Sequence, residues 1–237
     1  MVDRRDADGV TSGTDSTYST AVVDLLGALA YGELTAFLRM AQDAELAPTL
    51  PDKAALARLA VDEFAHFELL VTRLRDMGAN PEQAMQPFVA PVDAFHDRTA
   101  PSTWLEGLIK AYVGDGIAID FYREVSAYVD ASTRDLVHQV LEDTGHSDFV
   151  VTTVRAAIEA DPRVSGRLAL WGRRLVGEAL SQAQRVAADR DALSAVLVGG
   201  VSGGPDVRGA DLAEVGRMFA RLTENHARRM GRLGLTA

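Results

Sequence analysis

The chain has 237 residues, 47% of them hydrophobic, and a formal net charge of -10, which allows one substantial core and places it at the upper end of a single domain. It contains no cysteine, so disulfides, iron–sulfur clusters and thiolate zinc sites are excluded and any metal must be held by oxygen and nitrogen. The charge is uneven, with 27 Asp and Glu against 12 Lys and Arg in residues 1–162 but 7 against 12 in residues 163–237; a basic C-terminal third of this kind is expected to pack on the acidic body or on a second copy, a nucleic-acid or anion surface being the alternative.

Residues 1–17 are rich in Asp, Ser, Thr and Gly and are expected to form a disordered tail, without the apolar core of a signal peptide. Residues 18–237 then form one helical domain, with a core bundle over 21–160 and basic helices over 163–235. Apolar residues at Val22, Leu25, Leu26, Leu29, Leu34, Phe37 and Leu38 predict a first helix over 21–45. A second runs from Asp52, as N-cap, to Met77, where Gly78 to Pro81 stops it. Residues 81–101, with Pro87 and Pro91 inside, are too long for a tight turn and predict a crossover. The third helix, capped by Ser102, covers 102–129, and the fourth covers 132–160; the short connection between them makes an antiparallel pair. A fifth helix over 164–198, interrupted near 189–191, a Gly-rich loop over 199–209 and a sixth helix over 211–233 complete the chain. No run alternates with period two for long enough to demand a strand, so the fold class is all-α. No stretch approaches the roughly 20 uncharged apolar residues of a membrane span, and a cytoplasmic protein without a membrane partner is expected.

The chemistry is concentrated in two segments. Residues 62–68 read Asp-Glu-Phe-Ala-His-Phe-Glu and residues 142–148 read Glu-Asp-Thr-Gly-His-Ser-Asp, one pattern written twice, 80 positions apart. Residues three apart share a helix face, so Glu63 with His66 and Asp143 with His146 each offer a carboxylate and an imidazole to one point. Glu33 lies 30 residues before Glu63, and Asp115 lies 28 before Asp143; both stand on the intervening helices at matching heights. Asp120 is the rival to Asp115. Asp62, Glu68, Glu142 and Asp148 read as flanking acids, either solvated or set behind the metal ligands, His226 as a packed core histidine, and His96 and His138 as loop and surface residues. Glu178 reads as a surface acid, and Tyr112 as a core aromatic one turn before Asp115.

Glu33, Glu63-x-x-His66, Asp115 and Asp143-x-x-His146 resemble the six-ligand set of ferritin-like di-iron carboxylate proteins. The segment Asp-Glu-Phe-Ala-His-Phe-Glu-Leu-Leu and the compact second half over 114–149 are most similar to the tRNA-hydroxylase branch that oxidises a methylthio-isopentenyl-adenosine. The resemblance covers residues 21–160. It implies a four-helix bundle with a long crossover between helices 2 and 3 and one or two extra C-terminal helices. It also implies two iron ions held by those six residues, with manganese as the alternative metal, O2 as co-substrate, a separate reductase as electron donor, and hydroxylation of an unactivated C–H bond. The second half departs from the family pattern, because both its carboxylates are Asp, one methylene shorter than Glu, with Gly114, Gly116 and Gly145 beside them. Closer helix packing, room for a substrate, or loosening of a lost site are the three explanations.

The acidic body is a poor phosphate surface, whereas the basic third would supply Arg173, Arg174, Arg228 and Arg229 to a tRNA partner. A ferritin-like iron-oxidising protein without organic substrate and a metal-free helical interaction module stand beside the hydroxylase reading. The apolar stripe of the last helix needs cover from the bundle or from a second copy in a homodimer.

Overall fold

The structure, a computed structural model, describes residues 5–142, 146–197 and 212–237. Among the described residues it is helical throughout, with no strand. The first helix, α1 (Arg5–Asp43), starts inside the polar segment expected to be disordered; no proline precedes Pro48, and Ser, Thr and Asp cost only a few tenths of a kcal/mol each in a helix. A short 3₁₀ turn (Ala44–Leu46) leads to α2 (Leu50–Asp76), capped by Thr49, whose side chain accepts from the Asp52 amide, rather than by Asp52 itself. Pro51 occupies the first turn, where a missing N–H costs nothing.

The expected crossover is a full helix, α3 (Pro81–Arg98), containing both Pro87 and Pro91. Each proline inside a helix costs about 3 kcal/mol in isolation, so tertiary packing holds this one. Asn80 caps it, Ala84 and Phe88 are buried, and its backbone approaches α1 so closely that a Cβ on Gly27 would overlap the Ala84 carbonyl. The third predicted helix is α4 (Trp104–Ile109), a π turn (Lys110–Gly114) and α5 (Asp115–Ser126), capped by Thr103 rather than Ser102.

The fourth predicted helix is broken. Helix α6 (Ala131–Val140), capped by Asp130 rather than begun at Ser132, ends at Leu141, and α7 (His146–Ala160) resumes after it. Arg123 donates to the Leu141 carbonyl at 2.7 Å, satisfying a group that the end of α6 frees. The interruption predicted near residue 190 separates α8 (Val164–Asp189) from α9 (Asp191–Leu197), and α10 (Leu212–Arg232) ends the chain. The predicted Gly-rich loop over 199–209 lies outside the described residues.

Helices α1 and α2 form an antiparallel hairpin; α3 lies against α1 and α8, α9 covers α1, and α10 lies against α5 and α8. Two apolar clusters result. One joins Val22, Leu25, Leu29, Leu70 and Leu74 to Val125 and Val137; the other joins Met40, Leu56 and Ala60 to Ile109, Val113 and Leu168. Glu33 and the 63–66 segment fall between them in sequence on their helices, so a polar layer is held between two dry ones. The basic C-terminal third packs on the acidic body through Asp24–Arg190, Asp120–Arg229 and Glu124–Arg221.

Residues Ser16–Leu46 include a window long and apolar enough to cross a membrane, 56% of it buried inside the structure. The expectation that no stretch qualifies is corrected accordingly, since Asp24 and Glu33 interrupt the run without lowering its mean hydropathy enough. Both acids have interior roles, Asp24 paired with Arg190 and Glu33 facing α2, as befits the core helix of a bundle.

Candidate metal centre

Glu33 from α1 and Glu63 and His66 from α2 converge. His66 Nδ1 lies 3.5 Å from Glu33 Oε2 and 3.8 Å from Glu63 Oε2, and one ligand atom from each of the three lies within 4.8 Å of the others. The i, i+3 spacing puts Glu63 and His66 on one face, and the antiparallel hairpin brings Glu33 opposite them. Phe64 packs against Phe37 and Phe67, with ring centroids 5.1 and 5.5 Å apart.

Burial, followed by the neighbouring Glu63 carboxylate, pushes the Glu33 carboxyl well above its ordinary range. Hydrogen bonding to Glu33 and then Glu63 pushes the His66 imidazole up to about 10. Two carboxylates in a dry place cannot both ionise without a cation, and the protonated imidazole is the cation this arrangement selects.

Asp115 opens α5 directly after the π turn, a wider coil in which one extra residue shifts the faces that follow. Its Oδ2 is buried without a hydrogen bond, and its carboxyl is raised by burial first and by the charge of Glu63 second. Asp120 has another partner, since Arg229 Nη1 donates to its Oδ2 at 2.7 Å. Asp115 is thus the helix acid set beside Glu63, and Asp120 the one committed to an ion pair. Asp143 and the His146 side chain lie outside the described residues, as does Gly145. Their neighbours Glu142 and Ser147 line the same cavity as Glu33, Glu63, His66 and Asp115.

That cavity has a volume of about 460 Å³, inside the range of small-molecule pockets. Its walls are largely apolar, with Leu29, Phe88, Ile117 and Val150 among them. Gly32 opens onto space, whereas Gly116 makes room for Arg229, whose guanidinium a Cβ there would displace. Of the glycines beside the second-half acids, close packing accounts for Gly116, while a Cβ on Gly114 would meet Phe95 and Lys110 at ordinary distance.

Of the flanking acids, Glu68, Glu142 and Asp148 are exposed, whereas Asp62 is half-buried. His226 is buried with both ring nitrogens unpaired, Glu178 pairs with Arg98 at 3.4 Å, and exposed His138 meets Ser126 at 3.1 Å. His96 is not a loop residue. It sits on α3 at the cavity wall, with Nδ1 buried and unpaired, and burial, then Lys110, lowers it to about 3. Lys110 itself escaped the sequence reading. It is 5% exposed, its ammonium lies 5.7 Å over the Phe95 ring, and burial lowers it to about 8 against the pull of Asp43 and Asp115. A lone cation inside Leu108-Ile-Lys-Ala-Tyr-Val113 was the available signal.

The donor set fits a metal in its chemistry. A buried carboxylate oxygen on Asp115 lacks a hydrogen bond, Glu33 and Glu63 have the His66 imidazole as their nearby cation, and hard oxygens with a borderline imidazole nitrogen suit iron or manganese.

Comparison with solved structures gives a match to a Synechococcus protein described as protein 19 with aldehyde deformylating oxidase activity, with a TM-score of 0.70, 21% identity, and 94% of each chain covered. Identity at that level speaks for the fold alone. No curated protein matches the chain. The family model of the actinomycete ferritin-like domain matches residues 16–200. With that span matched, and an all-helical bundle around a buried carboxylate and histidine cluster, the chain belongs to the ferritin-like domain family of actinomycetes.

Proposed function

We propose that the protein is a di-metal, O2-dependent oxidase that hydroxylates a small, largely apolar molecule. The observation that carries this reading is the convergence of Glu33, Glu63 and His66, with an unpaired buried oxygen on Asp115, on the wall of a largely apolar cavity. Glu33, Glu63, His66, Asp115, Asp143 and His146 are the proposed ligands, and iron is the proposed metal, with manganese as the substitute. Two iron ions there would supply O2 activation and electron transfer, with electrons from a reductase.

The chain's own contribution is positional. The two apolar clusters exclude water from the polar layer, which keeps carboxylates from being solvated and makes cation binding their best compensation. His66 would serve as a ligand in its neutral form, giving up the proton that now pairs it with Glu33 and Glu63. The largely apolar cavity beside the cluster has room for an apolar chain.

The Arg residues named for a tRNA partner are occupied within the chain. Arg173 donates to the Thr236 carbonyl, Arg174 lies over Trp171, Arg228 bonds Asn225, and Arg229 pairs with Asp120. A small molecule is therefore preferred to tRNA as substrate. The solved relative with aldehyde deformylating oxidase activity is a precedent for oxidase chemistry on this fold.

The test is anaerobic loading with Fe(II), followed by iron analysis and O2 consumption, on wild type and Glu63→Ala. The expected result is about two irons per chain, as such six-ligand sites hold, with O2 uptake that the variant loses. Iron content equal in wild type and variant would refute the centre; O2 uptake with iron turnover but no hydroxylated product from any apolar compound would favour an iron-oxidising protein.

A further inference from the structure

The cavity wall carries a primary amide that the metal centre does not use. Gln182, on α8, is 6% exposed and lines the cavity. Neither its Oε1 nor its Nε2 has a hydrogen-bond partner among the described residues. A buried primary amide with donor and acceptor both unmet is costly, and a leucine in its place would be cheaper for folding. Of the other polar groups on the wall, Arg229 is engaged with Asp120, Arg123 with the Leu141 carbonyl, Arg232 with Asp148 and the Thr35 hydroxyl with its own helix, whereas His96 keeps an unpaired Nδ1.

Position adds a second argument. Along α8, Ala179 packs with one apolar cluster and Val186 with the other. Gln182 lies between them in sequence and so stands level with the polar layer of Glu33, Glu63 and His66. The small side chains of Ala179 and Ala183 line the cavity beside it.

We infer that Gln182 anchors the polar end of an amphipathic substrate, a neutral group offering both a hydrogen-bond donor and an acceptor, such as a hydroxyl, at the end of an apolar chain that fills the cavity. A neutral amide has no charge with which to hold a carboxylate or an ammonium. A group that only accepts, such as an ether or ester, leaves Oε1 unmet. The inference deepens the proposed function by naming its substrate class, and it rests on the cavity being the substrate's.

The test is calorimetric titration of the metal-free full-length chain with 1-octanol and with its isomer heptyl methyl ether, which has the same atoms but no donor. The wild type is expected to bind the alcohol about tenfold more tightly, equivalent to about 1.4 kcal/mol. Gln182→Leu is expected to abolish that preference while melting at or above the wild-type temperature. Gln182→Met, closer in shape, serves as the second variant should leucine disturb the fold. Equal affinity of wild type for the two probes, retention of the preference in a folded variant, or no saturable binding of either probe to wild type would each overturn the inference. Because binding is read without metal, its failure is distinguishable from failure of the iron-loading test.

Discussion

Asp115 and Asp120 lie on the same helix and should respond in opposite ways to removal. Asp120→Ala strips Arg229 of the carboxylate 2.7 Å from its Nη1, in a pair whose side chains are 8% and 18% exposed. Removing one partner of a buried pair costs about 3–5 kcal/mol, and the residual exposure of Arg229 argues for the low end, about 3 kcal/mol. At about 2–4 °C per kcal/mol for a chain of this size, the metal-free variant should melt about 6–12 °C below wild type. Asp115→Ala instead removes a buried carboxyl with an unpaired oxygen. Leaving such a group unsatisfied costs about 1–3 kcal/mol, and its side chain borders an existing cavity, so little packing is lost. The metal-free variant should therefore melt about 2–12 °C above wild type. Loaded anaerobically with Fe(II) at a hundredfold excess over its Kd, wild type should gain about 2.7 kcal/mol. Asp120→Ala should keep that increment and Asp115→Ala should lose most of it. Scanning calorimetry of the three proteins, with and without metal, decides. If Asp115→Ala destabilises the metal-free protein as Asp120→Ala does, or retains the full metal increment, the assignment of Asp115 to the centre is wrong.

The metal-free protein should also lose stability as pH rises from 6.5 to 8. His66 has a folded pKa of about 10, above its ordinary 6.5, so its contribution is complete below pH 6.5 and is lost as pH rises toward 10. Glu33 and Asp115, raised by burial, act in the same direction, whereas Lys110, lowered to about 8, begins to oppose at the upper end of this window. Melting temperatures across it should fall for wild type and fall less for His66→Gln; parallel profiles would contradict the assignment. Gly27→Ala places a Cβ against the Ala84 carbonyl and should cost about 1–3 kcal/mol, the usual cost of overpacking. Gly32→Ala, which meets nothing within 4 Å, should gain about 0.5–1 kcal/mol from helix propensity. Urea titration of the two variants checks both, and similar shifts would mean that α1 and α3 are not in close contact.

The sequence alone determined the helical class, the paired Glu-x-x-His and Asp-x-x-His pattern, and the positions of Glu33 and Glu63, because helical spacing is a local property that residues three and four apart reveal directly. It also foresaw the break near residue 190 and the docking of the basic third on the acidic body. Only the tertiary structure decided what depends on neighbours distant in the chain. Pro87 and Pro91 read locally as helix breakers, yet α3 forms around them because Ala84 and Phe88 bury against α1. Asp115 and Asp120 are equivalent as letters; Arg229, more than a hundred residues away, separates them by neutralising one and leaving the other with an unpaired oxygen in the dry layer. Lys110, His96 and Gln182 are ordinary polar residues in one dimension. They become consequential because the fold buries them around one cavity, and burial is a sum over contacts that no local pattern records.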